Sequence, residues 1–146
     1  MRMNLSYSLV ALMIPALCVS IACSTSGTLA KSAIDRRFAS YAADPAQLGA
    51  VHADAAHTMG RSGYFYIIGT DGRIRYHPQR ALIGLSFMEN RFVKRLIESR
   101  EGCIEQNIEG RYRIIKFKMI DTARILCFSV SSDEVDRREF RCDEFK

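Results

Sequence analysis

The run Gly63-Tyr64-Phe65-Tyr66-Ile67-Ile68-Gly69 carries no charge and is built of aromatic and β-branched residues between two glycines. Such a run reads as a strand that is apolar on both sides, so it needs a sheet with a covering layer on each face. A sheet therefore lies at the centre of whatever this chain folds into. Directly after the run, Thr70-Asp71-Gly72 has turn chemistry. Arg73-Ile74-Arg75-Tyr76-His77 then returns with a period of two and stops at Pro78, which predicts a hairpin.

The rest of the chain supplies the covering elements. Ile34, Phe38 and Tyr41-Ala42 fall at helical spacing over residues 31–43. Asp44-Pro45 is an N-cap followed by proline at the first helical position, and it predicts a second helix with Leu48, Val51, Ala55 and Met59 on one face, stopped by Gly60. Ser86-Phe87-Met88-Glu89 has capping-box form, and Phe92, Val93, Leu96 and Ile97 give a helical stripe up to Gly102. Strands follow at 103–108, 111–120 and 125–131, separated by turns at Glu109-Gly110 and 121–124. The charged tail from Ser132 has Phe140 and Phe145 as its large apolar anchors and reads as a short helix or a frayed end. The order is helices, two strands, a helix, three strands. It predicts an α+β fold: an antiparallel five-stranded sheet with N-terminal helices and one helix between strands 2 and 3. With 48% hydrophobic and 25% charged residues, the composition suits one globular domain and disfavours collagen, coiled-coil arrays and disorder.

The N-terminus sets the compartment. Arg2 is followed by no charge until Lys31, and residues 9–17 form a short apolar core. Ser20-Ile21-Ala22 then precedes Cys23, which resembles a bacterial lipobox apart from serine where leucine is usual. This reading gives a signal peptide over 1–22, acylation of Cys23, a polar tether over 23–29 and export of the remainder. An uncleaved signal anchor is the competing interpretation, since 28 uncharged residues are enough to span a bilayer. In an exported chain two of Cys103, Cys127 and Cys142 are free to pair, while burial as small hydrophobes explains Cys103 and Cys127 equally well.

The element order matches a PAS-like sheet, and residues 63–84 carry a more specific likeness. Gly63-Tyr64-Phe65-Tyr66-Ile67-Ile68, Asp71-Gly72-Arg73-Ile74, Tyr76-His77-Pro78 and Leu82-Ile83-Gly84 resemble the first hairpin and following loop of Cache domains. Gly102 and Gly110 fit the later part of that pattern, and the likeness extends over roughly 30–131, with 132–146 as the tail. The resemblance implies an extracytoplasmic sensor module that binds small molecules, often organic acids or amino acids, on one face of the sheet. Thr122-Ala123-Arg124 stands where the family often carries a Trp before the last strand, and no second membrane span or output domain follows residue 131. The resemblance therefore implies sensing through a separate signalling or transport protein.

The charge pattern points to an anionic ligand. Residues 61–124 hold 13 Lys/Arg against 7 Asp/Glu. Arg73, Arg75 and His77 share one face of the second strand by the two-residue period, and Lys116 and Lys118 share one face of the fourth with Ile114 and Ile120. Two cations two residues apart on a strand are placed to hold one carboxylate. Tyr64, Tyr66 and Tyr76 offer apolar walls with polar tips. The expected ligand set is Tyr66, Arg73, Arg75, Tyr76, His77, Lys116 and Lys118, with no cofactor and no metal. A Cys–His nucleophile from Cys103 or Cys127 with His77 lacks an elbow, an orienting acid and an oxyanion motif, so the chain does not read as an enzyme. Export and the lack of an RNP-type strand argue against nucleic acid. The reading is a lipid-anchored module on the periplasmic side or cell surface that binds a small anion. Its alternative is a structural or adhesive envelope lipoprotein with no ligand.

Overall fold

A computed structural model describes residues 28–50 and 58–145. The expected lipidation site Cys23, the signal peptide, and Val51 and Ala55 of the expected second helix lie outside the described residues. The elements are helices α1 (Lys31–Ala43), α2 (Ala46–Ala50) and α3 (Arg91–Ser99), with strands β1 (Thr58–Met59), β2 (Gly63–Gly69), β3 (Ile74–Tyr76), β4 (Glu101–Ile108), β5 (Arg111–Met119), β6 (Arg124–Ser131) and β7 (Asp143–Phe145). The fold is α+β. The five expected strands form its centre in the order β3-β2-β6-β5-β4, all antiparallel. Two short strands extend it: β1 pairs with β2 beside β3, and β7 runs parallel to β4 on the far edge.

The uncharged run is the strand its composition calls for. Phe65 and Ile67 point into a core with Ile34, Phe38 and Tyr41 of α1, Leu48 of α2, and Leu126, Phe128 and Val130 of β6. Tyr66 and Ile68 point into a second core with Phe92, Val93 and Leu96 of α3, Ile115 and Phe117 of β5, and Ile125 and Cys127 of β6. Phe65 lies 4.8 Å from the Tyr41 ring and 4.6 Å from that of Phe128, all three buried. Burying each such ring contributes about 2–3 kcal/mol.

Four local readings are corrected. Met59 lies in β1 rather than on a helix: Gly60, at φ 65°, turns a tight hairpin instead of ending a helix, and the Glu134 carboxylate holds that turn by accepting from Arg61 N at 2.7 Å. The helix expected over 86–102 starts at Arg91, because Ser86 bridges to Arg73 and Phe87 N bonds Gly72 O at 2.9 Å. Asn90 caps it instead, its side chain accepting from Phe92 N at 2.8 Å. Arg73, Arg75 and His77 do not share a face. Ile67 pairs with Tyr76 and Ile68 with Ile74, so Arg75 is the extra residue of a bulge and the alternation flips there. The tail makes two short 3₁₀ turns and then β7, and Cys142 is disulfide-bonded to Cys103.

Candidate functional site

On the α3 side of the sheet, the two-residue period places Tyr64 and Tyr66 of β2 opposite Ser129 and Cys127 of β6. Arg113 of β5 reaches across this surface. Its Nε donates to Ser129 Oγ at 2.7 Å and its Nη2 to Ser62 O at 2.8 Å, while its guanidinium lies 5.2 Å from the Tyr64 ring centre. The half-buried Arg113 thus has neutral acceptors and an aromatic face but no carboxylate among the described residues. His77, beyond the bulge, closes the cluster with its ring 5.1 Å from Tyr64 and 5.7 Å from Tyr66.

The electrostatics of the cluster follow from burial. Desolvation holds the Tyr66 hydroxyl well above its ordinary value of 10, and the neighbouring Cys127 thiol adds to the rise. Burial raises the Cys127 thiol far above the usual range, so it is protonated and unreactive; Cys103 is spent in the disulfide. Neither is an activated partner for His77. Burial also lowers His77 below 6.5, so its ring is neutral at pH 7. His77 Nδ1 accepts from Gln79 N at 2.9 Å, which leaves the proton on Nε2. Among the described residues of this cluster, Arg113 then brings a full charge to rings, hydroxyls and a thiol, and that combination suits a small carboxylate.

The other expected residues lie elsewhere. Arg73 donates to Gly84 O at 3.0 Å and Arg75 pairs with Asp71 at 2.6 Å, both exposed on the outer edge. Tyr76 packs against the α1-side core. Lys116 and Lys118 face α1, on the opposite side of the sheet from Tyr66 and His77. They line a cavity of about 430 Å³ with Asp35, Phe38 and Glu101. Lys116 Nζ bonds Asp35 at 2.5 Å and Lys118 pairs with Glu101 at 3.6 Å, so both ammoniums are already paired. Burial raises the Asp35 carboxyl, but Lys116 and Lys31 outweigh it and hold Asp35 below 3.8. Of the expected set, the structure thus brings together Tyr66 and His77. The residue that sequence reasoning missed is Arg113. Its signal is a cation in register with Ile115 and Phe117, on the face of β5 opposite the lysines.

No family model matches the chain, and neither does any curated protein. Among solved structures, it is similar to the ligand-binding domain of the Pseudomonas aeruginosa PAO1 amino acid chemoreceptor PctB with L-Gln, at 22% identity and a TM-score of 0.41, over 54% of this chain and 33% of that one. The ligand-binding domain of the Pseudomonas fluorescens chemoreceptor CtaA with L-alanine is 26% identical, with a TM-score of 0.37, over 50% and 34%. That of Mlp24 with asparagine is 23% identical, with a TM-score of 0.38, over 49% and 29%. The chain spans about a third of the length of these structures.

Proposed function

We propose that this chain is an extracytoplasmic sensor module that holds a small carboxylate-bearing metabolite, an organic acid or an amino acid, on the α3 face of its sheet and does not turn it over. Arg113 takes the carboxylate, and Tyr64, Tyr66 and His77 wall the ligand. The observation that carries this reading is the Arg113 guanidinium, stacked on Tyr64 and bonded, among the described residues, to neutral oxygens of Ser129 and Ser62. A cation kept in place with no counter-ion is ready for an anionic ligand. The sequence likeness over 63–84 implies small-molecule binding on one face of the sheet, which agrees with this reading. The lipobox-like Cys23 supports a lipid anchor on the outside of a bacterial membrane, and the Cys103–Cys142 disulfide suits that oxidising compartment. Signal leaves the module through a partner protein.

The test is a thermal-shift screen of the full chain against small organic acids and amino acids. A ligand present at about 100 times its Kd adds roughly 2.7 kcal/mol to stability, enough for a rise of several degrees. Arg113→Gln removes the shift, since truncating one partner of a desolvated ion pair costs about 2–5 kcal/mol of affinity. Arg113→Lys retains the charge, loses the fork and keeps part of the shift. Lys116→Gln binds like the parent. A hit that ignores both Arg113 variants, or a broad screen with no hit at all, overturns the proposal; the latter outcome favours the ligand-free envelope lipoprotein.

A further inference from the structure

Away from the α3-face cluster, the most unusual surface is the loop between β3 and α3. Ile83, Leu85 and Met88 are 44%, 49% and 40% exposed there, and two of the other large apolar side chains this exposed, Ile108 and Tyr112, sit on the β4–β5 hairpin. The loop is rigid. Gly84 N bonds Ile74 O at 2.8 Å, Ile74 N bonds Leu85 O at 3.0 Å and Phe87 N bonds Gly72 O at 2.9 Å, so the apolar side chains are presented on a fixed backbone. Cations rim this loop. Residues 73–95 hold 6 Lys/Arg against 1 Asp/Glu, a balance equal to the +5 of the whole chain. Arg75 and Lys94 pair with Asp71 and Glu89, and Arg95 lies 3.8 Å from Asp143. Among the described residues the Arg73 guanidinium bonds a backbone carbonyl, and Arg80 and Arg91 have no carboxylate partner.

We infer that this loop docks on an anionic phospholipid surface, with Leu85, Ile83 and Met88 entering the headgroup region and Arg73, Arg80 and Arg91 meeting lipid phosphates. Two observations and the anchoring reading favour lipid over an acidic protein. The apolar tip is purely aliphatic, with none of the exposed aromatic anchors that dominate protein interfaces. Unpaired arginines around an apolar centre are the pattern of an interfacial anchor. The sequence also places an apolar leader at the N-terminus, and the stretch from Cys23 to Ala30 reaches at most about 28 Å when extended. That reach holds the domain near a bilayer, with Leu29 beside Gly60 at one end of β2 and the docking loop beside Gly72 at the other; the docking inference takes proximity alone from the anchoring reading and does not rest on the ligand site.

The chain contains no tryptophan, so one introduced indole reports its own position. The experiment uses the full chain with Leu85→Trp on vesicles of phosphatidylcholine alone and of equal parts phosphatidylcholine and phosphatidylglycerol, each with brominated acyl chains as quencher. The control is Tyr112→Trp, exposed to a similar degree on the β4–β5 hairpin. The expected result is a blue shift and quenching for Leu85→Trp on the anionic vesicles only, and neither for Tyr112→Trp. Adding Arg80→Gln and Arg91→Gln weakens the contact roughly 25-fold, at about fivefold per interfacial cation, and returns the emission to its value on neutral vesicles. Both arginines are exposed surface residues, so the fold is unaffected. Emission that is the same on both vesicles, quenching at position 112 equal to that at 85, or quenching that survives the double arginine change each overturns the inference. The first of these outcomes leaves an acidic protein as the occupant.

Discussion

At the residue scale, two glycines separate backbone strain from crowding. Gly72 and Gly110 both adopt left-handed backbone, at φ 74° and 82°. A Cβ at Gly72 would lie 2.8 Å from the backbone of Met88, whereas at Gly110 nothing lies within 4 Å. Gly110→Ala therefore costs about 1 kcal/mol of conformational strain, while Gly72→Ala adds a clash with backbone and costs about 3 kcal/mol, read by chemical denaturation. Equal losses would show that the loop at Met88 yields freely. Both turns were legible, because Asp-Gly and Glu-Gly between alternating runs leave few other choices. The side-chain set was less so. The alternation that grouped Arg73, Arg75 and His77 assumes a regular ladder, and a one-residue bulge at Arg75 leaves no mark in the period-two pattern. Arg113 is hidden in the pattern because it heads an apolar stripe with Ile115 and Phe117, and such a stripe signals packing, whereas the lysine pair on the other face signals charge.

At the element scale, helix α1 and strand β2 follow their sequence patterns closely, since each is specified by its own buried face. α3 and β7 are not specified locally. α3 starts five residues after the capping-box signal because Phe87 and Ser86 are tied to the hairpin of β2 and β3, a contact between distant residues. The tail's charge hides a strand that exists by pairing with β4 and by three anchors: Cys142 to Cys103, Phe140 in the α1-side core and Phe145 5.7 Å from Phe92. The bridge closes a separation of 39 residues. Cys142→Ser should lower stability by about 2–4 kcal/mol in calorimetry under oxidising conditions, with loss of protection from proteolysis over 132–145. An unchanged melting temperature would mean that Phe140 and Phe145 fix the tail without the bridge.

At the scale of the whole molecule, the sheet keeps two surfaces with different tasks. On the α1 side, Lys116, Asp35 and Lys31 form a closed set of charges that docks the first helix. On the α3 side, Arg113 has no carboxylate partner among the described residues and lies beside Tyr64, Tyr66 and His77. The central claim is that a small carboxylate binds the second surface and not the first. Nitrogen-15 NMR of the full chain, titrated with a hit from the acid and amino acid screen, tests it most directly, because the Arg113 Nε–H that donates to Ser129 is itself an observable signal. The account predicts saturable shifts of that signal and of the amides of Tyr64, Tyr66 and His77, with Lys116, Lys118 and Phe38 unmoved. Shifts confined to Lys116, Lys118 and Phe38, with the Arg113 signal unchanged, would contradict it.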